Sequence, residues 1–220
     1  MNGFKIQKMR CFLFVLCICL AATNLFSQPA DPDYDPKAKQ ILDGVSKTMR
    51  KDSTKTALFT LIQNAHGIPD TLTGEIITKK ECYRIITNKN GSPVEEYWND
   101  GQTKVIYSWK NKALIYQGPP DKISEPLPND VFTIYEKGFK YHFIREDTLN
   151  GKTVEYIDIY PEDKKKNYYT IHLAIDKEKK QIVNFVFVNK DGSTTTFHID
   201  SFIANRIIAN RTFQFDPGTR

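Results

Sequence analysis

Cysteine is almost missing from most of this 220-residue chain. Cys11, Cys17 and Cys19 crowd the amino terminus, and only Cys82 lies beyond them. A single remaining thiol excludes an internal disulfide framework, so a folded domain here has to rest on its own apolar core. Cys82 sits in the run Glu81-Cys82-Tyr83-Arg84-Ile85-Ile86 with no base beside it, which reads as a packed thiol and not a nucleophile. Histidine is sparse too. His66, His142, His172 and His198 fall in none of the paired spacings that hold zinc, so no metal site is expected. His172 and His198 lie on polar faces of separate strands and read as solvated side chains. There is no Gly-x-Ser-x-Gly elbow and no glycine-rich phosphate loop. Glu95 and Glu96 are adjacent in a strand and point to opposite faces, as do Glu155 and Asp158, so neither pair makes an acid/base dyad. No enzyme and no cofactor is expected.

Long apolar runs are also lacking. The longest, Cys11 to Ala22, is short of the ~20 residues that a membrane-crossing helix needs. It follows Lys5, Lys8 and Arg10, precedes Thr23-Asn24-Leu25-Phe26-Ser27, and no acid occurs in residues 1–27. That order predicts a signal peptide over 1–27 with cleavage near Ser27/Gln28; an uncleaved amino-terminal anchor is the alternative. None of the three early cysteines follows a small residue, so lipid attachment is not expected. Without the leader the net charge falls from +5 to about +2. The basicity is therefore largely the leader's, and nucleic acid is not an expected partner. The one basic triplet, Lys164-Lys165-Lys166, follows Tyr160-Pro161-Glu162-Asp163 and reads as a solvated turn.

What is present is a series of short strands. Residues 28–35 are polar and proline-containing and are expected to be a disordered start of the mature chain. Asp35 and Pro36 then open an amphipathic helix in which Ala38, Ile41, Leu42, Val45 and Met49 form one stripe. Strands are predicted at Ala57–Ile62, Leu72–Thr78, Cys82–Thr87, Val94–Trp98, Thr103–Trp109 and Ala113–Tyr116. Further strands are predicted at Tyr141–Glu146, Thr153–Tyr160, Tyr168–Ile175, Gln181–Val188, Thr194–Ile203 and Thr212–Phe215. Turn signals such as Asn90-Gly91, Asn150-Gly151 and Asp191-Gly192 join them. Sequential hairpins build an up-and-down antiparallel sheet that can curl into a barrel. Alternation places Tyr169, Ile171, Leu173 and Ile175 on one face, with Tyr168, Thr170 and His172 opposite. It likewise groups Val105, Tyr107 and Trp109 against Lys104, Ile106 and Ser108. The proline-rich stretch from Gly118 to Asp130 cannot pair in a central strand. A short helix, Val131–Lys137, follows it. Val131, Phe132, Ile134 and Tyr135 make that segment a packed loop or a lid.

The ordered set of these features resembles the LolA family of periplasmic outer-membrane lipoprotein carriers. The residues that carry the likeness are the helix near Ala38–Met49, Phe59 in the first strand, and Gly74-Glu75-Ile76-Ile77-Thr78-Lys79-Lys80. They continue with Tyr97-Trp98-Asn99-Asp100-Gly101, Val105-Ile106-Tyr107, Ile159-Tyr160-Pro161, Asp191-Gly192 and Phe213-Gln214-Phe215-Asp216-Pro217-Gly218. The likeness spans residues 36–218, so 36–220 is expected to be one domain. It implies a mainly β fold with little α: an unclosed antiparallel barrel of about eleven strands, with the amino-terminal helix and a short helical lid. It implies a periplasmic, monomeric carrier that shelters acyl chains of lipoproteins. Such a carrier takes cargo from an inner-membrane ABC exporter and hands it to an outer-membrane acceptor. The alternative is a lipid-sensing or glycolipid-binding periplasmic module of the same fold. The expected lining is Phe59, Leu61, Ile76, Tyr83, Ile85, Val105, Tyr107, Trp109, Ile171, Leu173, Phe185, Phe187 and Phe197. The family's lid-holding arginine is replaced by Lys79-Lys80-Glu81, which leaves Lys80 as the candidate latch, without arginine's planar fork.

Overall fold

A computed structural model describes residues 33–120, 134–136, 138–149 and 151–219 of the chain. The expectations for the leader, for residues 28–32 and for Val131 and Phe132 lie outside the described residues. The amino-terminal helix, α1, spans Pro36–Lys51. Its start is fixed by Asp35, whose Oδ1 accepts from the amides of Lys37 at 2.7 Å and Ala38 at 3.3 Å, while Pro36 fills the first turn. The other oxygen, Oδ2, accepts from the Phe143 amide at 3.0 Å and so ties the helix start to the sheet. Partial burial raises the Asp35 carboxyl, but the amides of Phe143, Ala38 and Lys37 outweigh it and hold the group below its usual range. Arg50 and Lys51 close the helix at its negative end.

Eleven strands follow: β1 (Thr54–Ala65), β2 (Ile68–Lys79), β3 (Cys82–Lys89), β4 (Ser92–Asn99), β5 (Lys104–Ser108), β6 (Ala113–Gly118), β7 (Phe139–Leu149), β8 (Lys152–Pro161), β9 (Tyr168–Asp176), β10 (Gln181–Asn189) and β11 (Thr194–Ala204). They form one sheet in the order β6-β5-β4-β3-β2-β1-β11-β10-β9-β8-β7. Every strand pairing is antiparallel. One arm is a meander outward from β1 to β6, and the other a meander inward from β7 to β11. The pairing of β1 with β11 joins the two arms. The sheet is left open, with β6 and β7 as its edges, and the expected mainly β architecture of eleven strands holds. The turns are short because the residues at them accept positive φ: Asn90 and Gly91, at 51° and 78°, make the two-residue link that matches strand twist.

Three local expectations are corrected. Residues 33–35 are not disordered: Tyr34 makes a parallel bridge to Tyr141 and covers part of the β7 edge, and unpaired edges are costly to leave open. The helix expected at Val131–Lys137 is, among the described residues, a single 3-10 turn at Ile134–Glu136, ended by Gly138 at φ 75°. The strand expected at Thr212–Phe215 is a 3-10 turn at Asn210–Phe213. There Phe213 is buried and Phe215 packs on Trp98, so this segment serves as a cover and not as a ladder.

Candidate functional site

Register divides the apolar side chains between two faces, because directly paired residues share a face. On one face Ala57 opposes Ile76, Ile76 opposes Ile85, Ile85 opposes Tyr97, and Tyr97 opposes Ile106. Toward the other arm Leu61 opposes Phe197, Phe197 opposes Phe185, Phe185 opposes Leu173, and Leu173 opposes Ile157. This face carries two clusters. In the first, Ala38, Leu42, Val45 and Met49 of α1 pack on Tyr141, Ile157, Ile159, Ile171, Leu173, Ile175, Ile182, Phe185 and Phe187. In the second, Ala57, Phe59, Leu61, Ile76, Tyr83 and Ile85 pack together with Leu72 and Tyr97, and among the described residues none from α1 takes part. Phe197, Ile199 and Phe202 touch both clusters and make the face continuous. Phe197 stacks on Phe185 with centroids 4.7 Å apart and lies 5.6 Å from Phe59.

Ten of the expected lining residues therefore share this face: Phe59, Leu61, Ile76, Tyr83, Ile85, Ile171, Leu173, Phe185, Phe187 and Phe197. Ile171, Leu173, Phe185 and Phe187 belong to the cluster under α1. Val105, Tyr107 and Trp109 do not join them. Val105 opposes Trp98, which opposes Arg84, which opposes Ile77, the neighbour of Ile76 on the reverse side. These three side chains form a separate cluster with Trp98 and Phe215. Phe215 lies 5.1 Å from the Trp98 ring and 6.1 Å from that of Tyr107. Beside it Glu96, fully buried, accepts from Arg84 at 2.6 Å and from the Trp109 ring nitrogen at 3.1 Å. Ile106 is the β5 residue on the helix-bearing face. Alternation misassigned this strand because Val105 and Tyr107 are buried on the outer side by the carboxy-terminal segment, while Lys104 and Ser108, on the face of Ile106, are buried as well, so both faces are covered. A second inversion occurs in β9. The ladder to β10 shifts between Val188 and Asn189, and Tyr168 is buried against Phe187 while Tyr169 is exposed.

Of the expected lid residues, Ile134 opens the 3-10 turn and Tyr135 is buried against α1. The Tyr135 hydroxyl donates to Ser46 Oγ at 2.9 Å and lies 3.3 Å from Asp43 Oδ1. Glu136 pairs with Arg50. Sequence reasoning missed this tie, since nothing in the spacing links residues 46 and 50 to residues 135 and 136. A cleft of about 670 Å³ opens between α1 and this turn, lined by Lys39, Asp43, Ser46, Lys47, Arg50, Lys51, Tyr135, Glu136 and Tyr141. Lys80, the candidate latch, occupies the exposed turn between β2 and β3 at φ 54°. Its neighbour Lys79 donates to the Ile208 carbonyl at 2.9 Å and to Asn210 at 2.8 Å, holding the carboxy-terminal segment.

Glu155 is a buried carboxylate on the helix-bearing face. It is 8% exposed and opposes Glu146 and Ile175. Burial pushes its pKa up, and Glu146 adds to this while Lys177 opposes it. A carboxyl that holds its proton more tightly when folded favours the fold below its unfolded pKa, and that advantage is lost as pH rises through the folded value. Glu155→Gln is therefore expected to melt about 2–4 °C above the parent at pH 7. The gap should close below about pH 4. Thermal melts across that range check it, and a gap independent of pH would refute it.

No helix among the described residues is long and apolar enough to cross a membrane. In comparisons with known proteins, residues 100–216 match the model of a family described as outer membrane lipoprotein carrier protein LolA. No curated protein sequence matches the chain. Among solved structures, an uncharacterized conserved protein from Thermus thermophilus is similar at a TM-score of 0.56 and 13% identity, over 82% of this chain and 94% of that one. A chain of the Pseudomonas aeruginosa MucA/MucB complex is similar at 0.50 and 16%, over 82% of this chain and 61% of that one. Mycobacterium tuberculosis lipoprotein LppX is similar at 0.50 and 6%, over 76% and 96%. At such identities these structures speak to the fold.

Proposed function

The chain belongs to the LolA family, and from that premise we propose that it is a periplasmic carrier that shelters acyl chains of lipoproteins. The carrying observation is the second apolar cluster. Phe59, Leu61, Ile76, Tyr83 and Ile85 continue the face on which α1 lies, and among the described residues none from α1 packs with them. Acyl chains are the ligands that such a surface suits, since each methylene taken from water contributes ~0.8 kcal/mol. The same figure explains why an acylated protein needs cover to cross an aqueous compartment. Phe197, at the junction of the clusters, joins this half to the part already covered by α1. In this reading the donor is an inner-membrane ABC exporter and the receiver an outer-membrane acceptor. The binding step itself needs no chemistry beyond reversible burial.

The test is recovery of the protein from the cells that make it, followed by mass spectrometry of whatever co-purifies. Acylated proteins or lipids are expected, together with saturable binding of a fluorescent fatty-acyl probe. Recovery of neither, with no probe binding, would defeat the reading.

A further inference from the structure

The cleft between α1 and the 134–136 turn is lined quite differently from the apolar face. Its floor is made of hydroxyls. Tyr141 is 7% exposed and Tyr135 6%, and Ser46 is buried beside them. Tyr135 and Ser46 satisfy each other at 2.9 Å. The Tyr141 hydroxyl, by contrast, has no hydrogen-bond partner among the described residues, although its ring is held by Tyr34 and Tyr135. Its O–H is therefore free to donate to an acceptor that enters the cleft it lines. Burial pushes the pKa of both tyrosines up, so both remain O–H donors at neutral pH.

The walls are cationic. Lys39, Lys47, Arg50 and Lys51 stand against Asp43 and Glu136. Both acids are already engaged: Asp43 by Lys39 at 2.6 Å and Glu136 by Arg50. Lys47 and Lys51 have no partner among the described residues. They are four apart, one turn of the same helix, so their ammonium groups reach the same space. Two free ammoniums and a phenol O–H present more donors than one carboxylate accepts well. A phosphate, with its several oxygens and charge near −2 as a monoester, accepts them all. The end of a helix carries partial negative charge that opposes an anion, and the four basic side chains outweigh it.

We propose that this cleft binds the phosphate of an anionic amphiphile, with Lys47, Lys51 and the Tyr141 hydroxyl as its ligands. The inference rests on the acyl-binding reading above and extends it, by assigning the head of the cargo a site of its own. A free phosphate offers the same oxygens, so the experiment separates the two sources.

Calorimetric titration of the intact protein uses three probes: inorganic phosphate, 1-myristoyl lysophosphatidic acid below its micelle concentration, and the neutral 1-myristoyl glycerol. The lysophosphatidate is expected to bind about tenfold tighter than the monoglyceride. In the Lys47→Gln/Lys51→Gln variant the preference should fall to within about twofold, with monoglyceride affinity unchanged. Tyr141→Phe keeps the ring packing and should lose about threefold of the preference. Monoglyceride binding with no preference for the phosphate, or a preference that survives the double substitution, overturns the anion site and leaves acyl binding standing. Binding of inorganic phosphate that the double substitution removes, with neither lipid bound, supports the anion site and defeats the acyl reading.

Discussion

Gly74→Ala is expected to lower stability by about 2–4 kcal/mol and the melting temperature by roughly 5–15 °C. Gly74 opposes Phe59 across the β1–β2 ladder. The Phe59 ring lies over the glycine, so that a Cβ placed there would sit 2.3 Å from Phe59 Cζ, 2.8 Å from Cε1 and 2.5 Å from the Ile86 carbonyl oxygen. Neither neighbour can yield cheaply. Phe59 is 2% exposed and packed among Leu61, Ile76 and Ile85, and Ile86 is backbone of the adjacent strand. Close cores punish added volume in this way because the strain has nowhere to spread. Chemical denaturation of Gly74→Ala, Phe59→Leu and the double variant would partition the loss. Phe59→Leu should recover part of it, since the ring contact goes and the carbonyl contact remains, giving a favourable coupling of about 1 kcal/mol. A loss below about 0.5 kcal/mol for Gly74→Ala, the range of a neutral surface change, would mean the close approach is not real.

The same strand pair shows how far the sequence can be read. Glycine at position 74 is visible as a gap in a strand pattern, but what fills the gap is a matter of register, which hairpin turns determine. Register was largely readable here. Two-residue links such as Asn90-Gly91 set β1 through β4 against one another and β7 against β8, and the eleven strands fall where alternation and turn residues put them. The helix start was readable as well, because Asp35 and Pro36 act locally. Misreadings arose where distant chain covers a surface. β5 looks half-buried by composition, yet Phe215, about a hundred residues later, covers its outer side. The inversion at Tyr168 and Tyr169 has a different origin: one extra residue in a ladder, which leaves no mark in composition. Of the cleft, only the helical spacing of Lys47 and Lys51 could have been seen beforehand. The tie of Tyr135 and Glu136 to Ser46 and Arg50 depends on where a long connection returns to the helix.

Adjacent residues in β11 offer the sharpest separation of the two faces. Phe197 opposes Leu61 and Phe185, and so lies on the helix-bearing face. Thr196 opposes Ile62 and Val186, one position along and on the reverse side. An aspartate at either position adds the same charge to the same strand, with the same effect on net charge and on strand propensity. Phe197→Asp places a carboxylate where an acyl chain would have to lie, between Phe59 and Phe185. Bringing apolar chain against an unpaired charge costs several kcal/mol, so the dissociation constant of a fluorescent acyl probe is expected to rise at least about thirtyfold. Thr196→Asp should leave that constant within about twofold, because its side chain never meets the ligand. Phe197→Leu guards against a trivial outcome: it keeps most of the apolar volume and should retain binding within about threefold. Circular dichroism at the titration temperature confirms that each variant is folded before its affinity is compared. Equal weakening by the two aspartates would place the ligand somewhere other than the face shared by Phe59, Phe185 and Phe197. Loss in Phe197→Asp alone would locate it there, and would do so independently of how many of the neighbouring side chains touch the chain directly.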